Sequence, residues 1–247
     1  MVTVERVPTG LEKLDKLLKG GFPEKSINLA VGSYGCGKTI MSMQFLWKGL
    51  QNGEKCLYIS MEEPVDSIRF DAKVMGWDFE DYEEDDQLHI AYLSPNRPEI
   101  GFLDEISNVA SKIDVDRIVI DSISIMLGEQ GEKDSDRRKE MYNLYNSLKR
   151  TDATCLITAE TKEKNDFSRY GVAEYVCDGV LNLHYLGFSD QSFRDIEIRK
   201  MRNTNYTPGS HPYQITGTGI ELKPEFRDKD FMERYKRMKK EQKRKQG

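Results

Sequence analysis

The sequence predicts an α/β fold, a mostly parallel sheet flanked by helices, with antiparallel strands late in the chain. Three observations carry this. Apolar runs at 26–31, 55–61, 117–122 and 154–160 alternate with helically spaced stretches, the pattern of β-α units whose sheet is buried on both faces. A glycine-rich turn, Gly32-Ser33-Tyr34-Gly35-Cys36-Gly37-Lys38-Thr39, joins the first of these runs to a helical stretch. Segments 180–186 and 193–201 then read as two strands, the second setting Ile196 and Ile198 against Arg199 and Lys200. That alternation gives one wet face, as in an antiparallel pair.

Taken in order, Thr9 with Glu12 reads as a capping box opening a short helix. Leu11, Leu14, Leu17 and Leu18 form its apolar stripe, and Gly20-Gly21 ends it. The turn 32–39 fits the phosphate-binding pattern G-x-x-x-x-G-K-[ST] without a mismatch. A strand–turn–helix junction of this kind aims backbone N–H groups and a helix N-terminus at a polyphosphate. Lys38 would reach the β- and γ-phosphates, and the Thr39 hydroxyl would join a Mg²⁺ shell.

The strand 55–61 ends in Glu62-Glu63, on the edge where parallel sheets bind ligands. One of these carboxylates can orient an attacking water. A helix follows over 65–75. The acidic run 80–86 reads as a solvated connection, 87–92 as a strand and 100–113 as a helix. His89 alternates within its strand and reads as structural. Asp121 closes the strand 117–122, the place for a carboxylate that holds Mg²⁺ through water. Residues 129–136 read as a loop, and 137–149 as a helix with Met141, Leu144, Tyr145 and Leu148 on its core face. Glu160 ends the strand 154–160 on the same ligand edge. It can sense a γ-phosphate or serve the structure.

The chain has 247 residues, 32% of them charged, enough for one substantial core with a solvated surface. No apolar run approaches the roughly 18 residues of a membrane span. The first residues lack the build of a signal peptide, so a cytoplasmic location is expected. The four cysteines, Cys36, Cys56, Cys155 and Cys177, form no C-x-x-C pair, and the three histidines show no metal-ligand spacing. Cys36 reads as a small residue inside the turn. Net charge is −5, but residues 227–247 carry ten Lys/Arg against four Asp/Glu. The remainder is acidic, so nucleic acid is not expected as a partner of the core. Phe231, Tyr235 and Met238 recur along the basic tail at helical spacing. The tail is either a solvated helix or a docking element for an unidentified partner.

Further motifs complete a pattern: Arg169-Tyr170-Gly171-Val172-Ala173-Glu174-Tyr175 ahead of Asp178-Gly179, then Lys200-Met201-Arg202-Asn203-Thr204, and His211-Pro212-Tyr213-Gln214-Ile215-Thr216. From about Val7 to Leu222 the chain resembles a single KaiC-type domain of the RecA/RadA superfamily. The resemblance implies a RecA-like P-loop NTPase core over 1–225, with 226–247 as a tail beyond it. It implies ATP and Mg²⁺ as cofactors and a homo-oligomer, a hexameric ring with ATP between subunits. Glu62 and Glu63 then match the catalytic glutamates, with Glu62 as base. Lys200 and Arg202 match the pair that reaches a neighbour's γ-phosphate. The nucleotide set becomes Ser33, Tyr34, Gly35, Cys36, Gly37, Lys38, Thr39 and Ile40, with Lys200, Met201, Arg202, Thr204, Tyr206 and Thr216. Thr39 and Asp121 are the metal residues. Tyr206 stands where the family commonly has His, and Gly217 where it has Asp. Glu174 and Tyr175 occupy the positions of the clock protein's Ser-Thr phosphosites, so Ser/Thr autophosphorylation is not expected there.

The expected activity is slow ATP hydrolysis at subunit joints in a regulatory or signalling role. Two alternatives remain open: a non-hydrolysing ATP-dependent assembly switch, and a RadA-like ATPase acting on DNA.

Overall fold

The apolar runs become strands because helices cover both of their faces. The computed structural model describes residues 3–93, 106, 114–125, 134–161, 173–188 and 191–223. Its elements are β1 (Arg6–Val7), α1 (Glu12–Leu17), β2 (Phe22–Pro23), β3 (Ile27–Gly32), α2 (Lys38–Gln51), β4 (Cys56–Ser60), α3 (Val65–Val74), α4 (Phe79–Glu84), β5 (Leu88–Tyr92), β6 (Arg117–Asp121), α5 (Asp134–Lys149), β7 (Thr154–Glu160), α6 (Ala173–Val176), β8 (Gly179–Phe188), β9 (Gln191–Met201), β10 (Ser210–Thr216) and β11 (Gly219–Leu222). A nine-stranded sheet runs β11-β10-β9-β8-β3-β7-β6-β4-β5. From β8 to β5 every pairing is parallel, and from β8 to β11 every pairing is antiparallel. The predicted fold class is the observed one.

Strand periodicity divides the core in two. Ala30, Tyr58, Val119 and Leu156 point to the α2 side, into a cluster with Met41, Phe45 and Leu46. Leu29, Leu57, Ile120 and Ile157 point to the other side, where α5 supplies Met141, Leu144 and Leu148. The same alternation orients polar residues at the strand ends. Asp121 shares the parity of Val119, and Thr158 that of Leu156, so both face α2.

Arg117 is wholly buried at the start of β6. Its guanidinium grips Glu54 at 2.5 and 2.9 Å and donates to the carbonyls of Pro8 at 2.7 Å and Phe45 at 2.8 Å. One charged group thereby joins the N-terminal segment, α2 and the sheet.

Three expectations are corrected. The α1 capping partner is Asp15 rather than Glu12. Asp15 Oδ1 accepts from both the Thr9 hydroxyl and the Thr9 N–H at 2.7 Å, while Thr9 Oγ1 accepts from Leu11 N–H. Burial places Asp15 where the chain needs a carboxylate, and Glu12 stays in solvent. The acidic run is not a plain connection, because 80–84 belong to α4. Phe79 is buried there, and Glu83 and Glu80 pair with Arg69 and Lys73 of α3. Helix α5 starts at Asp134, inside the segment read as a loop. Most of 100–113, residues 165–172 and the tail 226–247 lie outside the described residues.

Candidate functional site

The strand ends make the site. Gly32, Asp121 and Glu160 end β3, β6 and β7 on one edge of the sheet, and Glu62-Glu63 follow β4 there. The turn 33–37 leads from β3 into α2. Two glycines at this junction are required by space and conformation. A side chain at Gly32 would meet Cys36 Sγ and Leu183 O at 2.5 Å. Gly37 has φ +91° as the residue before α2, against Ile215 and Ile220. Lys38 Nζ donates to the Gly32 and Ser33 carbonyls at 3.0 and 3.3 Å, which keeps its ammonium over the turn. Cys36 is fully buried, and burial pushes its thiol pKa up, in keeping with a packing role. Tyr34 is exposed at the tip.

Asp121 has both carboxylate oxygens held. Tyr58 Oη donates to Oδ2 at 2.8 Å, and the Thr158 hydroxyl donates to Oδ1. All three side chains face α2, and Asp121 is 7% exposed. Ser122 Oγ donates to Glu62 Oε1, tying the first glutamate to the end of β6. Glu63 takes its place through Ser60, whose hydroxyl donates to the Glu63 carbonyl at 2.6 Å and accepts its N–H at 3.0 Å. Partial burial raises the Glu63 pKa, as do the neighbouring carboxylates of Asp71, Asp121 and Glu62. Glu160 N–H donates to Ser124 Oγ at 2.7 Å. Tyr58, Ser122 and Thr158 escaped the sequence reading. Tyr58 and Thr158 act on Asp121 and Ser122 on Glu62, each remote in sequence, and strand parity signals only that Tyr58 and Thr158 turn toward the α2 side.

The predicted cations sit elsewhere. Lys200 pairs with Val180, which pairs with Leu29, and Met201 is level with Gly179 and Asn28. They therefore lie toward the start of β3, on the edge opposite the turn 32–39. Lys200 Nζ caps α6 by donating to Glu174, Tyr175 and Cys177 carbonyls at 3.2, 3.3 and 2.6 Å. Desolvation, and then the charge of Arg202, lower its pKa. Arg202 binds Asp178 at 3.0 Å and keeps half of its side chain exposed. Thr204 accepts from Arg6 at 2.6 Å and Tyr206 Oη donates to Arg199 O at 3.4 Å, both beyond the same edge. Thr216 is the exception. It ends β10 beside the turn 32–39, where its hydroxyl braces the 216–219 turn. The chain thus brings together Gly32–Thr39, Glu62, Glu63, Asp121, Glu160 and Thr216, and holds Lys200, Met201, Arg202, Thr204 and Tyr206 apart from them.

Residues 7–227 match the family model described as "ATPase: KaiC". The chain belongs to the KaiC ATPase family. Relatives of similar length include a UPF0273 protein of Methanopyrus kandleri, 29% identical over 241 residues, with 91% of this chain and 94% of that protein covered. The circadian clock protein KaiC3 of Synechocystis is 30% identical over 233 residues, which covers 90% of this chain but 46% of KaiC3. The chain thus spans about half the length of that clock protein. The crystal structure of a KaiC-like protein from Pyrococcus horikoshii superposes with a TM-score of 0.80 at 32% identity, covering 90% of this chain and 100% of the other. Among the described residues, no helix is long and apolar enough to cross a membrane.

Proposed function

We propose that this chain binds Mg²⁺–ATP at the phosphate-loop edge and hydrolyses it at a joint between subunits. The observation that carries the reading is the division of charge between the two sheet edges. The loop and its carboxylates occupy one edge, and Lys200 with Arg202 occupies the other. A second copy, docked edge to edge, would complete the site with two cations. Such a joint is head-to-tail, and it gives a ring when the rotation between copies closes.

The residues fit their roles. The N–H groups of 33–39 and the α2 N-terminus would bind the phosphates. Oxygen donors suit Mg²⁺, and Thr39 with the doubly held Asp121 would supply them, the ion neutralising charge on the phosphates. Glu62, steadied by Ser122, would orient water and accept its proton, and Glu63 stands beside it. Thr216 would meet the nucleotide in the same chain. Lys200 and Arg202 would stabilise charge on the phosphoryl group of the neighbouring subunit. Thr204, Tyr206 and Met201 would belong to that trans surface. Positions 174 and 175 hold Glu and Tyr, so the reading is hydrolysis without Ser/Thr autokinase sites there, in a regulatory or signalling setting.

The test is Glu62→Gln. Turnover should fall by about 10²–10⁴-fold, the usual contribution of a general base, while equilibrium binding of Mg²⁺–ATP persists. Hydrolysis by the variant at the wild-type rate would sink the assignment.

A further inference from the structure

Resting on that nucleotide reading, we infer that Tyr185, Arg194 and Tyr213 form a platform under the phosphate loop, with Arg194 and Tyr213 as positioning residues for the bound polyphosphate. The three lie in register across β8, β9 and β10: Tyr185 pairs with Arg194, and Arg194 with Tyr213. Leu183 is level with Gly32, so the row stands two residues beyond the end of β3, where the loop turns over.

Two members donate hydrogen bonds to the loop, and the third stands close to it. A side chain built on Gly35 would meet the Tyr185 ring at 3.7 Å. The Arg194 guanidinium stacks 4.5 Å from the centre of that ring, and its Nε–H donates to the Gly35 carbonyl at 3.0 Å. Tyr213 is 5% exposed, and its hydroxyl donates to the Cys36 carbonyl. A phosphate-binding turn works by converging N–H groups, so its peptide carbonyls must point outward and find donors there. Arg194 and Tyr213 supply those donors at two successive peptides. The His211-Pro212-Tyr213 segment thereby gains a purpose that the loop motif does not supply. Removing either donor frees its peptide to rotate, and binding must then reorder it.

The experiment uses the full chain. Tyr213→Phe and Arg194→Ala are compared with wild type by hydrogen exchange over 33–37 without nucleotide, and by equilibrium binding of fluorescent ATP and ADP. Exchange of the loop should rise in both variants, with β4 and β7 unchanged. Affinity for ATP and ADP should fall in parallel, about three- to tenfold for each lost hydrogen bond. Should Arg194→Ala not fold, Arg194→Gln carries the same measurement. Unaltered affinities in both variants, with or without faster exchange, would overturn the platform alone. A wild-type protein that bound neither nucleotide would overturn the nucleotide reading beneath it.

Discussion

The proposed split of the site between two edges makes subunit complementation a decisive measurement. Lys200 is level with Leu29, and Gly32 lies three residues further along β3, about 10 Å at 3.3 Å per residue. Its ammonium is drawn onto Cys177 O at 2.6 Å, just after α6 and ahead of β8, away from the loop. Contact with the chain's own phosphate loop would need this cap broken and the side chain reversed along the sheet. Lys200→Ala should therefore lower turnover by about 10³-fold or more, as for a cation supplied in trans, although every residue of its own loop is intact. Glu62→Gln fails for the opposite reason, with its cations intact. The two inactive proteins are mixed in equal amounts, dissociated, reassembled with Mg²⁺–ATP and assayed for phosphate release. In a randomly mixed head-to-tail ring about a quarter of the joints hold an intact Glu62 facing an intact Lys200. The mixture should recover about that fraction of wild-type activity, far above either parent. Activity equal to the sum of the parents at every ratio would refute the trans arrangement, as would a Lys200→Ala protein that hydrolyses normally.

Three further outcomes are expected. Tyr58→Phe removes one of the two donors on Asp121 and little volume, so nucleotide binding should need about tenfold more Mg²⁺ while the melting temperature holds; an unchanged Mg²⁺ titration would deny Tyr58 that role. Arg117→Met deletes the buried guanidinium and leaves Glu54 without its partner, for a loss of about 3 kcal/mol in urea unfolding. Asp178 feels an opposing burial penalty, but hydrogen bonds from Lys149 and the Ile27 N–H, with Arg202, hold its pKa below the ordinary carboxylate value. Its contribution is thus present above about pH 4 and lost as pH falls through the depressed folded value, so Asp178→Asn should flatten the acid limb of stability against pH.

Some of the site was legible because its chemistry is local. The turn 32–39 needs glycines at set positions and a lysine beside them, and spacing records both. Glu62 and Asp121 were legible as carboxylates at the ends of apolar runs. Tyr58, Thr158 and Ser122 were not, because each acts across the sheet on a residue remote in sequence. The Thr9–Glu12 box failed for a related reason. Spacing offered Glu12, but the fold buries Asp15 against Thr9. In the acidic run, α3 supplied Arg69 and Lys73 to make α4 a packed helix.

The sequence by itself determined the α/β class, the order of most elements, the glycine-rich turn 32–39 and the carboxylates that the proposed nucleotide site would use. Each depends on near neighbours along the chain, through strand and helix periodicity and turn geometry. Tertiary structure alone decided which residues share an edge. Register sets Lys200 level with Leu29, and places the row Tyr185–Arg194–Tyr213 beneath Gly35 and Cys36. The physical reason is that strand pairing is a long-range contact whose register is set by which face each strand buries against the rest of the fold, which no short stretch of sequence contains.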